Sequence, residues 1–178
     1  MSKTVRKTIA YFSEKGKGNT EDVMRIVSER LREGGIEAVV VATTSGATAL
    51  KAAQILPQGT RIIGVSFQPA YWKQHARPKR GIRRKAEELG VTFMPEEPTA
   101  RYLKDISAHV PDTLRRMGQG MKVAVEVSMQ AVEVGLIAPG ARVISCGGSS
   151  KGADAAIVVQ AASELSGVWI SEILAKPL

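Results

Sequence analysis

The chain has 178 residues, 44% of them hydrophobic, and a net charge of +8; with a mean hydropathy of −0.04 it can bury one domain's core and is too apolar for intrinsic disorder. No apolar run reaches the roughly 18 residues of a membrane-spanning helix, the basic N-terminus shows no secretory leader, and one cysteine with two histidines excludes an internal disulfide or a Cys/His zinc cage, so a cytoplasmic protein without membrane partners is expected. The positive charge is local: no Asp or Glu stands between Ala38 and Ala86, while nine Lys or Arg do, which points to an anionic partner.

In chain order, Thr8 to Phe12 is a short apolar run expected as a strand. Gly16 and Gly18 follow, and Asn19 or Thr20 can cap a helix that carries Glu21 and Asp22 in its first turn, repeats Val23, Val27 and Leu31, and ends at Gly34-Gly35. Ala38 to Ala42 lacks any polar alternation, the mark of a central strand covered on both faces. A hydroxyl-rich turn leads to a helix through Ala49, Leu50, Ala53 and Leu56 that Pro57 stops. Arg61 to Val65 is a third strand, Lys79 to Leu89 a helix with the stripe Ile82, Ala86, Leu89, and Val91 to Met94 a strand. Between Pro95 and Gln119 the pattern is weak, with an amphipathic fragment around Leu103 to Ile106 and a helix after Pro111-Asp112. Met121 to Val134 alternates in part like a strand, yet its length without a turn signal favours a helix. Strands at Ala141 to Cys146, Ala155 to Gln160 and Val168 to Ala175 complete the chain. With aromatics at 4%, the core must come from Val, Ile, Leu and Ala. The alternation of strands and helices over residues 1–178 predicts one α/β domain with a mainly parallel sheet, whose ligands lie beyond the strands' carboxyl ends. The final strand, with Ile170, Ile173 and Leu174, reads as a sheet edge that a homo-oligomer would cover.

Two loops at such ends carry chemistry. Thr43, Thr44, Ser45, Gly46 and Thr48 lie where a buried strand passes into a helix, so amides at the helix start and several hydroxyls can hold a phosphate; a plain helix cap by Ser45 or Thr44 is the alternative. Gly147, Gly148, Ser149, Ser150, Lys151 and Gly152 can wrap a phosphate or a ring edge, or simply form a hairpin connection. Neither matches a P-loop or a dinucleotide fingerprint. Gly148 to Gly152 does match G-x-S-x-G, but both His75 and His109 precede Ser150, against the order of that hydrolase fold. Cys146 reads as a buried hydrophobe before a reactive thiol, and Glu126 and Glu133 as a solvated helix face. The cluster Lys73, Arg77, Lys79, Arg80, Arg83, Arg84 and Lys85, behind Tyr71 and Trp72, offers nucleic-acid phosphates a surface, although no RRM, KH or helix-turn-helix pattern accompanies it. Steering of a phosphorylated small molecule or a solvated face explains it equally.

Ala38 to Ala49 resembles the strand, T-x-S-G-x-[ST] loop and helix of the pyruvate kinase C-terminal domain, and Arg61 to Ser66 and Gly140 to Gln160 are similar to its later strands and second effector loop. The resemblance is closer to the stand-alone pyruvate kinase C-terminal-domain-like proteins of prokaryotes, through Phe12, Gly16, Asn19 and Thr20, the Thr43 to Thr48 loop, and the Gly-Gly-x-Ser-x-Gly-Ala-Asp stretch at Gly147 to Asp154. It implies a three-layer α/β/α sandwich with a mixed, mainly parallel sheet. It also implies bound flavin mononucleotide (FMN), with Asn19, Thr20 and the two loops as its contacts. A flavin-dependent oxidoreductase at the same site is an alternative. Pyruvate kinase activity is not implied, because that chemistry needs a barrel domain for which this chain has no room.

Overall fold

The run Ala38–Ala42 forms strand β2, and its consecutive side chains enter opposite layers. Val39 and Val41 join Val23, Val27, Ala49, Ala52 and Ala86, whereas Ala38 and Val40 join Met121, Val125 and Ala131. Each of these fully buried valines contributes roughly 1.5–3 kcal/mol by leaving water, so β2 anchors both layers at once.

The computed structural model describes residues 4–67, 69–72, 76–96, 105, 107 and 109–178. Lys73, His75 and, apart from Asp105, the fragment expected around Leu103 to Ile106 lie outside them. The elements are β1 (Ala10–Phe12), α1 (Thr20–Arg32), β2, α2 (Ala47–Ile55), β3 (Ile62–Val65), α3 (Arg80–Glu88), β4 (Val91–Phe93), α4 (His109–Arg115), α5 (Gln119–Glu133), β5 (Arg142–Gly147), β6 (Ala155–Gln160) and β7 (Trp169–Pro177). The strands form one sheet in the order β1-β7-β6-β5-β2-β3-β4. All neighbours are parallel except β6, which runs antiparallel to β5 and β7. Helices α1, α2 and α3 cover one face, α4 and α5 the other, which is the expected α/β/α sandwich with a mixed, mainly parallel sheet. β1, β2, β3 and β5 point the same way, so the loops that follow them open at one end of the sheet.

Four features differ from the expectations. β7 lies between β1 and β6 in the sheet order, but β1 pairs only with Ala175 to Pro177, so the expected edge is closed at its carboxyl end while Ile170, Ile173 and Leu174 stand ahead of that pairing. That pairing joins opposite ends of the chain, which no local pattern encodes. The inward residues of α3 are Arg83 and Ala86, while Leu89 is 52% exposed. α4 starts at His109, ahead of Pro111, because proline in a first turn forfeits no helical hydrogen bond. Glu126 is buried rather than solvated: α5 lies between the sheet and α4, and Lys122 one turn earlier donates to the Glu126 carboxylate.

A second, partly buried ion pair fastens α1 to β7. Arg30 Nε and Nη2 donate to Glu172 Oε2 and Oε1 at 2.9 and 2.8 Å, Arg142 Nη2 donates to Oε1 at 3.0 Å, and Lys7 Nζ stands 3.6 Å from Oε2. The Arg30 hydrogen bonds, more than any other cause, hold the Glu172 carboxyl below its ordinary 4.5, and the same contact raises Arg30.

Candidate functional site

β2 ends in Thr43-Thr44-Ser45-Gly46 and α2 begins at Ala47. Gly46 adopts φ +90°, a left-handed backbone that suits glycine. A Cβ there would stand 2.8 Å from Arg83 Cγ and 3.2 Å from the Arg83 amide nitrogen, so α2 and α3 begin against one another. Lys79, just ahead of α3, donates its amide to Ser45 O at 3.3 Å. Two helix N-termini, each equivalent to about half a positive charge, therefore converge at this turn.

The hydroxyls of the turn divide by their partners. Thr44 Oγ1 accepts the Phe67 amide at 3.2 Å and Ser45 Oγ accepts the Ala47 amide at 3.3 Å; a hydroxyl that accepts one bond still has its proton to donate. Ser45 thus takes up the first helical amide, as a plain cap would, but Gly46 supplies no side chain for the next ones. Thr48 is buried. Thr43 is 6% exposed, and its Oγ1 has no hydrogen-bond partner among the described residues; the same holds for Ser66 Oγ at the end of β3. Leaving such a hydroxyl unpaired costs about 1–3 kcal/mol, so both atoms call for an acceptor or donor from outside the chain.

The other expected site residues form a separate group at the same end, since β5 neighbours β2 through the pair Val41 and Cys146. Gly147 is the last residue of β5, not part of the loop, and the residues after it connect two antiparallel strands. Ser150, exposed within this connection, therefore lacks the strand-to-helix setting of a hydrolase nucleophile. The glycines serve the chain's own packing. A Cβ on Gly147 would stand 2.2 Å from Gly120 O of α5, one on Gly148 2.2 Å from Gly152 O, and one on Gly152 2.3 Å from Thr20 Oγ1. Thr20 Oγ1 accepts the Ala153 amide at 3.0 Å and donates to Lys17 O at 2.9 Å, and Asn19 Nδ2 donates to Glu14 O at 2.7 Å. Buried Asp154 accepts the amides of Gly16 at 2.8 Å and Ser149 at 3.1 Å on Oδ2. Thr20 and Asp154 thus clasp the start of α1 to this loop. The α2 turn offers the orphaned Thr43 hydroxyl to an anion, whereas the space beside Gly147, Gly148 and Gly152 where side chains would stand is taken by the chain's own atoms.

The basic run is split by helix geometry. Arg77, Lys79, Arg80, Arg84 and Lys85 are exposed, Arg83 is buried, and Trp72 is tied back through Nε1 to Phe67 O at 2.8 Å. Burial pushes the Cys146 thiol up to about 12, so it should stay unreacted with DTNB until urea unfolds the chain; prompt labelling of the folded protein would contradict its placement. Among the described residues no three His, Cys, Asp or Glu gather as metal ligands, and no helix is long and apolar enough to cross a membrane. A cavity of about 380 Å³ lined by Leu31, Ile36, Glu37, Gln58 and Arg61 opens at the opposite end of the sheet, away from every buried unpaired polar atom named above. The sequence named Arg83 only within an exposed basic cluster and Asp154 only as the end of a glycine-serine stretch, without their burial, and Ser66 as a site residue not at all. For Arg83 a signal existed, since it stands three residues before Ala86 on one helical face.

Fold and turn together define a three-layer α/β domain whose candidate loops lie at the carboxyl ends of the strands. Residues 21–159 match the family described as pyruvate kinase, alpha/beta domain, and the chain belongs to that family. The match takes in both the α2 turn and the loop after β5, while β1, Asn19, Thr20 and β7 fall outside it.

Proposed function

We propose that this protein is a ligand-binding domain that holds a phosphorylated small molecule, its phosphate seated on Thr43, Thr44, Ser45, Gly46 and Thr48. The observation that carries the reading is the buried, unpartnered Oγ1 of Thr43 beside two convergent helix N-termini. Hydroxyls and free amides at a positive dipole end are the donors a dianion requires, and the net charge of +8 favours its approach. FMN is the specific ligand that the resemblance to the stand-alone proteins implies. Asn19, Thr20 and the segment from Gly147 to Gly152 are then left for the remainder of the molecule, and the bound flavin would supply electron and hydride chemistry.

Titration of flavin fluorescence tests this directly. FMN should bind while riboflavin, which lacks the phosphate, should not, and Thr43→Val and Ser45→Ala should each weaken FMN about tenfold, the worth of one hydrogen bond to a charged group. Riboflavin binding as well as FMN, or an unchanged affinity in Thr43→Val, overturns the phosphate seat. Binding of a sugar bisphosphate without FMN would keep the seat and replace the ligand. Bleaching of bound flavin by NADH would extend the reading to a flavin-dependent oxidoreductase. Salt-dependent retention on DNA that is insensitive to Ser45→Ala would favour the exposed basic face of α3 instead.

A further inference from the structure

α3 turns one arginine of its basic run into the protein. Arg83 is 8% exposed, and its stem crosses Gly46. Its guanidinium carbon lies 4.5 Å from the centroid of the Phe93 ring. That ring finds room because residue 64 is glycine: a Cβ there would stand 2.6 Å from Phe93 Cδ1 and 3.2 Å from Thr43 Cγ2. Thr43, Gly64, Phe93 and Arg83 thus form one stack at the carboxyl edge of β2, β3 and β4.

The guanidinium is only partly satisfied. Nη1 donates to Glu96 Oε1 at 2.6 Å, whereas Nε and Nη2 are buried without a partner among the described residues. Glu96 is itself 54% exposed along its side chain and sits beyond β4. The span from Ala38 to Ala86, which builds the rest of the stack's basic side, contains no carboxylate at all. Unpaired donors on a buried cation are costly, and the fork of Nε and Nη2 is shaped for an anion with two or more oxygens.

We propose that Arg83 is the counter-charge of the phosphate bound at the α2 turn, and that Glu96 occupies Arg83 in the ligand-free protein as an internal substitute that the phosphate displaces. The proposal rests on the phosphate seat described above. Glu96 then lowers the apparent affinity by the fraction of molecules in which it holds the guanidinium. A carboxylate that the phosphate leaves in place would act only through Coulomb repulsion, so its removal would give a small gain that salt screens away.

Isothermal titration of inorganic phosphate at fixed ionic strength into the wild type, Glu96→Gln and Arg83→Gln distinguishes the cases. Glu96→Gln should bind about three- to tenfold more tightly, and Arg83→Gln about tenfold more weakly or worse. Phosphate binding that Thr43→Val weakens but Glu96→Gln leaves unchanged or weakened overturns the role of Arg83 and Glu96 while the seat stands. Failure of both wild type and Glu96→Gln to bind overturns the seat and this proposal together. Should Arg83→Gln not fold, Glu96→Gln decides alone, because its half-exposed side chain contributes little to the core.

Discussion

Replacing Glu172 by glutamine is expected to lower the unfolding free energy by about 2–3 kcal/mol, the worth of charged hydrogen bonds in a partly buried ion pair. The substitution keeps the shape of the side chain and removes its charge, which leaves Arg30, Arg142 and Lys7 with the exposed Glu33 carboxylate, beside Arg30 and Lys7, as their remaining counter-charge. For a chain of this length the melting temperature should fall by roughly 5–8 °C. Arg142→Gln, whose side chain is half exposed, should cost no more than about 1 kcal/mol. The pH dependence has a definite sign. Glu172 titrates lower folded than unfolded, so its contribution is fully present above its ordinary 4.5 and is lost as the pH falls through the lower folded value. The stability gap between wild type and Glu172→Gln, followed by urea unfolding, should therefore be constant above the ordinary 4.5 and shrink as the pH falls from there through the lower folded value. A gap that persists undiminished into strong acid would show that the carboxylate's charge is not what matters.

Gly147→Ala is expected to destabilise the protein by about 3 kcal/mol or more through overpacking. The new methyl would lie 2.2 Å from Gly120 O and 2.7 Å from the Ala124 amide nitrogen, both backbone atoms of α5. Gly120 faces the same limit in reverse, with Asp154 Oδ1 2.4 Å and the Ala155 methyl 2.9 Å from where its Cβ would be. Ser145 Oγ donates to Ala124 O at 2.6 Å and holds the helix against β5, so the clash can be relieved only by moving a buried helix. Gly81→Ala is the informative contrast. Its Cβ would meet nothing within 4 Å, and alanine in a helix should stabilise by up to about 1 kcal/mol. Urea midpoints and soluble yield measure both; a neutral Gly147→Ala would mean that α5 and β5 do not approach as described.

These glycines show how far a sequence can be read. Gly147 and Gly148 stand out in the sequence as a mobile or ligand-wrapping loop, because a glycine-rich stretch looks the same whether its missing side chains admit a ligand or another piece of backbone. Thr43 to Thr48 was legible for the opposite reason, since a strand, a hydroxyl run and a helix start are all local. Arg83 was obscured by its basic neighbours. One residue of a charged run points inward, and which one depends on the phase of α3 against Phe93 and Gly46.

The sequence by itself determined the α/β class, the buried character of β2, nearly every strand and helix, and the hydroxyl-rich turn before α2. Those follow from the period of apolar side chains and from turn chemistry within a few neighbouring residues. Only the tertiary structure decided that β1 pairs with the end of β7, that Asp154 and Thr20 clasp α1 to the loop after β5, that Glu172 gathers three cations, and that Arg83 lies beneath the α2 turn. Each of these joins groups far apart along the chain, and burial sets their energies: it makes a carboxylate or a guanidinium depend on partners that no local pattern names.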